Sequence, residues 1–175
     1  NWTSITSTTA GTPINVVAND VVKFRGNNSQ YTTYNEANRS NHMLMQTGQY
    51  AIKGNIMSLI DSTNYATATT FGDYAFYNFF KNSLAVADAS ELLLPAAVLT
   101  SSCYRNMFAG CTNIIIGPVM KATTLADYCY QRMFEGCTSL SKVVLSDNVN
   151  IIDDFAFNNC TLYFGIAGNC GNYSG

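Results

Sequence analysis

Apolar and polar positions recur with a long period in the second half of the chain. The segment Leu99–Ile114 is repeated as Leu125–Leu140 at an offset of 26 residues, with Cys, Tyr, Met, Phe, Gly and Thr at matching places. A shorter copy follows at Ile152–Leu162, and a more divergent copy precedes at Tyr74–Leu84. One unit of this size cannot bury its own apolar side, so the pattern predicts three or more stacked units.

Each unit contains a predicted strand and a predicted helix. The β-branched and apolar segments Asn113–Ile116 and Ser139–Leu145 predict strands. Apolar residues at positions 129, 130, 133 and 134 follow the i, i+1, i+4, i+5 spacing of one helical face, so Tyr128–Phe134 predicts a helix. Gly110 and Gly136 then stand where helices commonly end.

These motifs resemble the BspA-type leucine-rich repeats of bacterial surface proteins, especially those of gut Bacteroidales. The resemblance is carried by Cys103–Thr112 and its copy Cys129–Thr138, by Ala156–Leu162, and by the preceding segment Gly54–Ile60. It covers roughly residues 54 to 164 and implies an α/β leucine-rich-repeat solenoid, right-handed and short, with about three to four repeats. The spacing of Leu140, Val143 and Leu145 matches the L-x-x-L-x-L pattern of such repeats.

The first fifty residues are organised differently. Ile14–Val17 with Val21–Phe24, and His42–Met45 with Tyr50–Lys53, flank short turn sequences and predict two hairpins. We therefore expect residues 1–53 to form an antiparallel β cap, 54–164 the repeats and 165–175 a C-terminal tail. A separate small β domain is the alternative for the first part. A helix over Ile56–Ile60 would join the cap to the repeats.

Charge is scarce, and this excludes several classes of function. Only 11% of residues are charged and the formal net charge is −2, while 20 Asn, 18 Thr and 14 Ser supply the polarity. The basic residues are scattered, so we expect no binding to nucleic acid or to anionic membranes. The densest apolar stretch, Glu91–Leu99, is interrupted by Pro95 and is too short to span a membrane. Since the chain starts without Met or an apolar leader, we expect any export signal or anchor to lie outside it.

The six cysteines follow the repeats rather than a disulfide framework. Cys103 and Cys129 share one repeat position, and three further cysteines share another, so we expect them to be buried free thiols. We keep a disulfide between Cys160 and Cys170 as an alternative, because Cys170 has no counterpart in the repeats. No C-x-x-C pair accompanies them, so we expect no metal and no cofactor.

Candidate catalytic residues are few. The only histidine, His42, falls in a predicted cap strand and is better explained as structural. Asp153 and Asp154 could form a carboxylate pair for glycoside hydrolysis, but they fit better at the start of the third helical segment. The run from Asp147 to Asp154 lacks the glycine and final glutamate of a calcium loop. We therefore expect a non-enzymatic protein.

Aromatic residues offer weak candidates for a binding surface. Tyr104 and Tyr130 recur at one repeat position, which favours packing in the core. Tyr31, Tyr34 and Tyr65 do not recur and fall in predicted loops, so they are better candidates for exposed contact.

Three functions follow, in order of preference. The first is an adhesion module at the bacterial cell surface or outside the cell, recognising a host or bacterial surface protein or a glycan, which the family resemblance implies. The second is a self-assembling structural component, such as a surface-fibre subunit or a phage virion protein. The third, a glycan-processing enzyme, would need the acid pair discussed above.

Overall fold

Four parallel strands form the sheet of this protein in a computed structural model that describes residues 16–27 and 43–145. The strands are neighbours in the order in which they follow one another along the chain. The sheet therefore grows by one strand per repeat, as the stacking of sequence units predicts. The elements are β1 (Tyr50–Asn55), a 3₁₀ helix (Ile56–Leu59), β2 (Val86–Leu94), β3 (Ile116–Met120) and β4 (Lys142–Leu145).

The strands are in parallel register but are not regular. Leu93 of β2 is paired with Val119 of β3, which is paired with Val144 of β4. The register shifts once between Ile116 and Val119, where the intervening Pro118 has no N–H to donate to a neighbouring strand. The strand predicted over Asn113–Ile116 begins three residues later, at Ile116, whereas β4 lies inside the predicted Ser139–Leu145.

The segments that precede β2, β3 and β4 at residues 73–82, 101–110 and 127–136 are not helices, so the helix predicted over Tyr128–Phe134 is wrong. They are three runs of consecutive turns, which we call the turn runs. In each run every fourth residue has a left-handed backbone, as at Ser102, Asn106 and Gly110 with φ of 55°, 55° and 74°. A helix cannot contain such residues.

The hydrogen bonds of the turn runs explain this conformation. Every second N–H bonds within its own run, as from Arg105 to the carbonyl of Ser102 at 3.2 Å. The N–H groups between them donate to the next run, as from Tyr104 to the carbonyl of Cys129 at 2.9 Å. An α-helix would satisfy all of these groups internally, whereas here the stacked neighbour supplies half of the acceptors.

The core lies between the sheet and the turn runs and is built of ladders. Phe80, Phe108 and Phe134 stack with ring centroids 5.2 and 5.6 Å apart. Tyr104 and Tyr130 stack in a parallel ladder at 5.8 Å and are buried, which confirms their predicted packing role. Pairs of adjacent residues therefore point inward at every fourth place, which is the spacing that the sequence had suggested for one helical face.

The two predicted hairpins do not form among the described residues. Tyr50–Lys53 belongs to β1, which pairs in parallel with β2. Met43 donates its N–H to the carbonyl of Phe79 at 2.7 Å, so it extends the stack on the turn side instead of pairing with β1. Residues 16–27 contain a turn, closed by the bond from the Asp20 N–H to the Val17 carbonyl at 3.1 Å, but no strand.

The 3₁₀ helix confirms a helical segment after Gly54, in a tighter form than expected. Its N-cap is Asn55, whose side chain accepts a hydrogen bond from the Met57 N–H at 2.9 Å. Ile56 and Met57 are buried. The division of the chain at residues 53 and 164 remains a prediction.

Candidate binding surfaces

Two surfaces of the stacked units could carry recognition, and the outer face of the sheet is the first. Leu93, Val119 and Val144 occupy neighbouring register positions on this face and are exposed or half-buried. Beside them Lys53 and Glu91 form an ion pair with a nitrogen–oxygen distance of 2.7 Å. The pair is exposed, so it contributes little to stability. The face therefore combines an apolar row with one ion pair and the exposed Lys142 of β4.

The second surface lies on the turn runs and is built around an arginine. The guanidinium carbon of Arg105 lies 6.0 Å from the ring centroid of Tyr77 in the preceding run. It lies 5.8 Å from the ring centroid of Tyr128 in the following run. Both distances are in the range of cation–π contact. We call these three residues the tyrosine–arginine stack; it joins three successive units.

Several polar atoms around this stack have no hydrogen-bond partner. Such atoms are rare in folded proteins because an unpaired buried polar group costs free energy. In residues 16–27 and 43–145 all the unpartnered buried side-chain atoms belong to the turn runs. Apart from the hydroxyls of Tyr104 and Tyr130 in the core, they are Asn78 Oδ1, Ser102 Oγ, Arg105 Nε, Asn106 Oδ1 and Gln131 Oε1.

Of the three tyrosines proposed from the sequence, Tyr65 is described. Its side chain is exposed, and its carbonyl accepts a hydrogen bond from Asn55 Nδ2 at 3.0 Å. It belongs to neither surface described above. Tyr31 and Tyr34 lie outside the described residues, and so do the other candidate groups. These are His42, the run from Asp147 to Asp154 (which includes Asp153), and the two cysteines Cys160 and Cys170.

The described cysteines are buried free thiols, as predicted. Cys111 and Cys137 donate to the carbonyls of Phe80 and Phe108 at 3.0 and 3.1 Å, each in the preceding turn run. Burial raises the pKa of Cys111 to about 12. The pKa of Cys103 is raised further, mainly by burial and to a smaller extent by the nearby Cys129. A thiol with a raised pKa is a poor nucleophile and metal ligand, so these groups serve packing.

Arg105 and Tyr128 were not found by sequence reasoning as site residues. Tyr77, Arg105 and Gln131 occupy equivalent places in successive units, at offsets of 28 and 26 residues. This equivalence is visible in the sequence, but under a helical interpretation it gave no reason for Arg105 to meet Tyr128. The contact depends on the turn conformation of both runs.

Comparison with known proteins identifies the family. The sequence matches the BspA type Leucine rich repeat region over residues 48–166, in six copies, and the chain belongs to this family. The match confirms the resemblance of the repeats, although it contains more copies than the three to four that we counted. No curated protein and no solved structure matches the sequence.

The family assignment gives a coarse functional class. BspA-type leucine-rich repeats are commonly surface adhesion or protein-binding modules. Within residues 16–27 and 43–145, no helix has the length and apolar character needed to cross a membrane.

Proposed function

We propose that this chain is a non-enzymatic adhesion module of a bacterial cell surface that binds a protein or glycan outside the cell. In this proposal its units form a short right-handed solenoid, with residues 1–53 as a cap at one end. The observation that carries it is the stacking of successive family repeats through both the sheet and the turn runs. Stacked repeats of this kind present extended rigid surfaces, which suit binding to other macromolecules.

The properties of the two surfaces support recognition. The sheet face combines an apolar row with a neutral ion pair, and the turn face carries tyrosine rings and an arginine. Aromatic residues and arginine are enriched where proteins bind partners, because they combine large contact areas with directed hydrogen bonds. Such a surface needs no reacting group.

A screen against immobilised glycans and extracellular-matrix proteins tests the proposal. We expect saturable binding to at least one of them by the full 175-residue chain. Val119→Asp should abolish binding through the sheet face, with Lys23→Gln, which changes an exposed charge outside the sheet, as the control. Failure to bind any member of the screen with a folded protein would contradict the proposal.

Self-assembly is the second candidate function. The observation in its favour is that β1 ends the sheet in the described part of the chain, so its outer edge could pair with another copy. The exposed Lys53 on this strand opposes such pairing, because charges at edge strands discourage continuation of a sheet. Light scattering at increasing protein concentration distinguishes the two: a monomer at all concentrations excludes assembly, whereas growing oligomers support it.

A further inference from the structure

We propose that the tyrosine–arginine stack binds an acidic sugar, that is, a sialic or uronic acid residue of a glycan. This inference rests on the proposed function of the chain as a binding module and names the ligand of one of its two surfaces. It is carried by an unpaired cation, unpaired hydrogen-bonding atoms and an exposed aromatic ring that lie together on the turn runs.

The charge of Arg105 has no partner in the part of the chain that the structure describes. Lys53 and Arg132, by contrast, have carboxylate partners, in the pair with Glu91 and in the longer contact with Glu135 at 4.0 Å. Arg105 instead contacts the rings of Tyr77 and Tyr128, and its Nε donates to no acceptor. The guanidinium carbon lies over both rings, and in this proposal the N–H groups of the half-buried side chain meet the ligand.

The edge of a guanidinium matches a carboxylate. Its parallel N–H groups can donate two hydrogen bonds to the two carboxylate oxygens, and these charge-assisted bonds are among the strongest in proteins. Since the chain carries few charges and the formal net charge is only −2, a single anion at this place meets little repulsion from the rest of the surface.

The unpaired amide oxygens favour a ligand that carries hydrogen-bond donors close to its carboxylate. Asn78 Oδ1 and Gln131 Oε1 are buried acceptors without donors, on side chains that are half-buried, so the proposal requires each amide to rotate when the ligand binds. Sugar hydroxyls supply donors beside a carboxylate on the same ring. The side chains of Asp and Glu end in acceptors alone, so an acidic peptide would have to supply these donors from its backbone N–H groups.

Tyr128 provides a surface for the sugar ring. Its side chain is 51% exposed, although it belongs to the same unit as the fully buried Cys129 and Met133. The apolar C–H face of a pyranose can pack on an aromatic ring, and the phenol hydroxyl adds a polar contact at its edge. Tyr128 therefore holds Arg105 with one part of its ring and remains accessible over the rest.

Isothermal titration of the full chain with 3′-sialyllactose and with trigalacturonate tests the inference. We expect at least one of them to bind saturably and to bind more weakly as salt is added, since the contact is charged. Neutral lactose should bind at least about tenfold more weakly, because it cannot form the carboxylate contact. A hexaglutamate peptide provides the acidic but hydroxyl-free comparison.

Variants show whether the stack is the site. Arg105→Gln should weaken binding by about tenfold or more, and Tyr128→Ala should also weaken it. Arg105→Lys keeps the charge and loses the paired N–H groups, so its affinity should fall between those of the wild type and Arg105→Gln. Lys142→Gln removes a positive charge from the sheet face and should leave the affinity unchanged. Thermal unfolding of each variant separates loss of binding from loss of structure.

Four results would overturn the inference: no binding of either acidic sugar, equal binding of lactose, binding of the peptide alone, or unchanged binding by Arg105→Gln. None of these results contradicts the proposed function, because the chain could still bind another glycan, or a protein through the sheet face. A folded chain that binds no member of the wider screen would remove both.

Discussion

The sheet and the turn runs stack the same units but differ in regularity. The strands vary from four to nine residues, and the register shifts within each of the three strand pairs. The turn runs all have ten residues, with left-handed residues at the same three places in each. The side without conventional secondary structure is thus the more regular one, so we infer that it sets the geometry of stacking.

The core explains why the turn runs are so regular. Four inward-facing side chains in each run, and a fifth directly after it, continue ladders from one unit to the next, including the stacked rings of Phe80, Phe108 and Phe134. A shift of one residue in a run would break all of these ladders together. The strands, by contrast, differ in what they bury: β2 contributes four buried apolar side chains and β3 contributes Met120, so the register shift near Pro118 is tolerated.

Removing a ring from the turn side should have the largest effect on stability. Phe108 is fully buried between two other rings, so Phe108→Ala should lower the free energy of unfolding by about 3–5 kcal/mol. Val143→Ala on the sheet side should lower it by only about 1 kcal/mol, because Val143 is partly buried. Urea unfolding of both variants gives the comparison. Equal losses would contradict the view that the turn side holds most of the core.

Alkaline pH should destabilise the turn side through its thiols. The pKa of Cys111 is raised from 9.0 to about 12 in the folded protein, so above pH 9 the thiol ionises in the unfolded chain while it stays protonated in the folded one. The contribution of this protonated thiol to stability is fully present below pH 9 and is lost as pH rises toward 12. The free energy of unfolding should fall by about 1.4 kcal/mol per pH unit in this range.

Serine provides a matched control for this prediction. Ser83 stands at the place of Cys111 in the preceding unit and donates to the carbonyl of Met43 at 2.9 Å, so the position accepts a hydroxyl. Cys111→Ser should therefore fold and should show a shallower loss of stability between pH 9 and 12. Unfolding curves measured with a reductant present would refute the prediction if the two proteins had the same slope.

A close contact between β3 and β4 should give an intermediate effect. A Cβ at Gly117 would lie 2.5 Å from Val143 Cγ1 and 3.3 Å from the ring of Phe134. Gly117→Ala should therefore cost about 1–3 kcal/mol. The double variant with Val143→Ala should lose less free energy of unfolding than the two single variants lose in sum, because the methyl group nearest to the new Cβ is gone. Strict additivity in thermal unfolding would mean that this contact is not the cause.

The smallest expected effect is a stability difference between two variants of Asn106. The sign of this difference distinguishes a turn run from a helix. Asn106 has φ of 55°, which glycine adopts without strain and alanine does not. Asn106→Gly should be more stable than Asn106→Ala by about 1 kcal/mol, whereas a helix would favour alanine by a similar amount. Denaturant unfolding of the two variants measures this difference. A more stable alanine variant would support the helical interpretation.

Much of the fold followed from the sequence because repeats reveal equivalent positions. The ladders of cysteine, methionine and aromatic residues were predicted and are confirmed for the described units, as at Cys103 and Cys129. The hairpin over residues 42–53 was wrong because β1 finds a parallel partner 36 residues away in β2, at Val86. Local alternation of apolar residues cannot show whether the partner strand is near or distant in sequence.

The candidate surfaces depended more strongly on tertiary structure. Tyr65 was predicted as exposed from its lack of repetition, and its exposure is confirmed. The contact of Arg105 with Tyr128 spans 23 residues, and it exists only because two turn runs lie side by side.

By itself, the sequence determined the family, the stacking of units and the side chains that face the core. These follow from periodic apolar positions, since a unit of this size must bury one side against its neighbours. Only the tertiary structure decided that the runs between strands are turns and not helices. A four-residue apolar spacing is compatible with both, and the choice depends on whether backbone N–H groups bond within a segment or to the next unit. The N–H of Tyr104 donates to the carbonyl of Cys129 in the next run, and the sequence around Tyr104 does not reveal this acceptor.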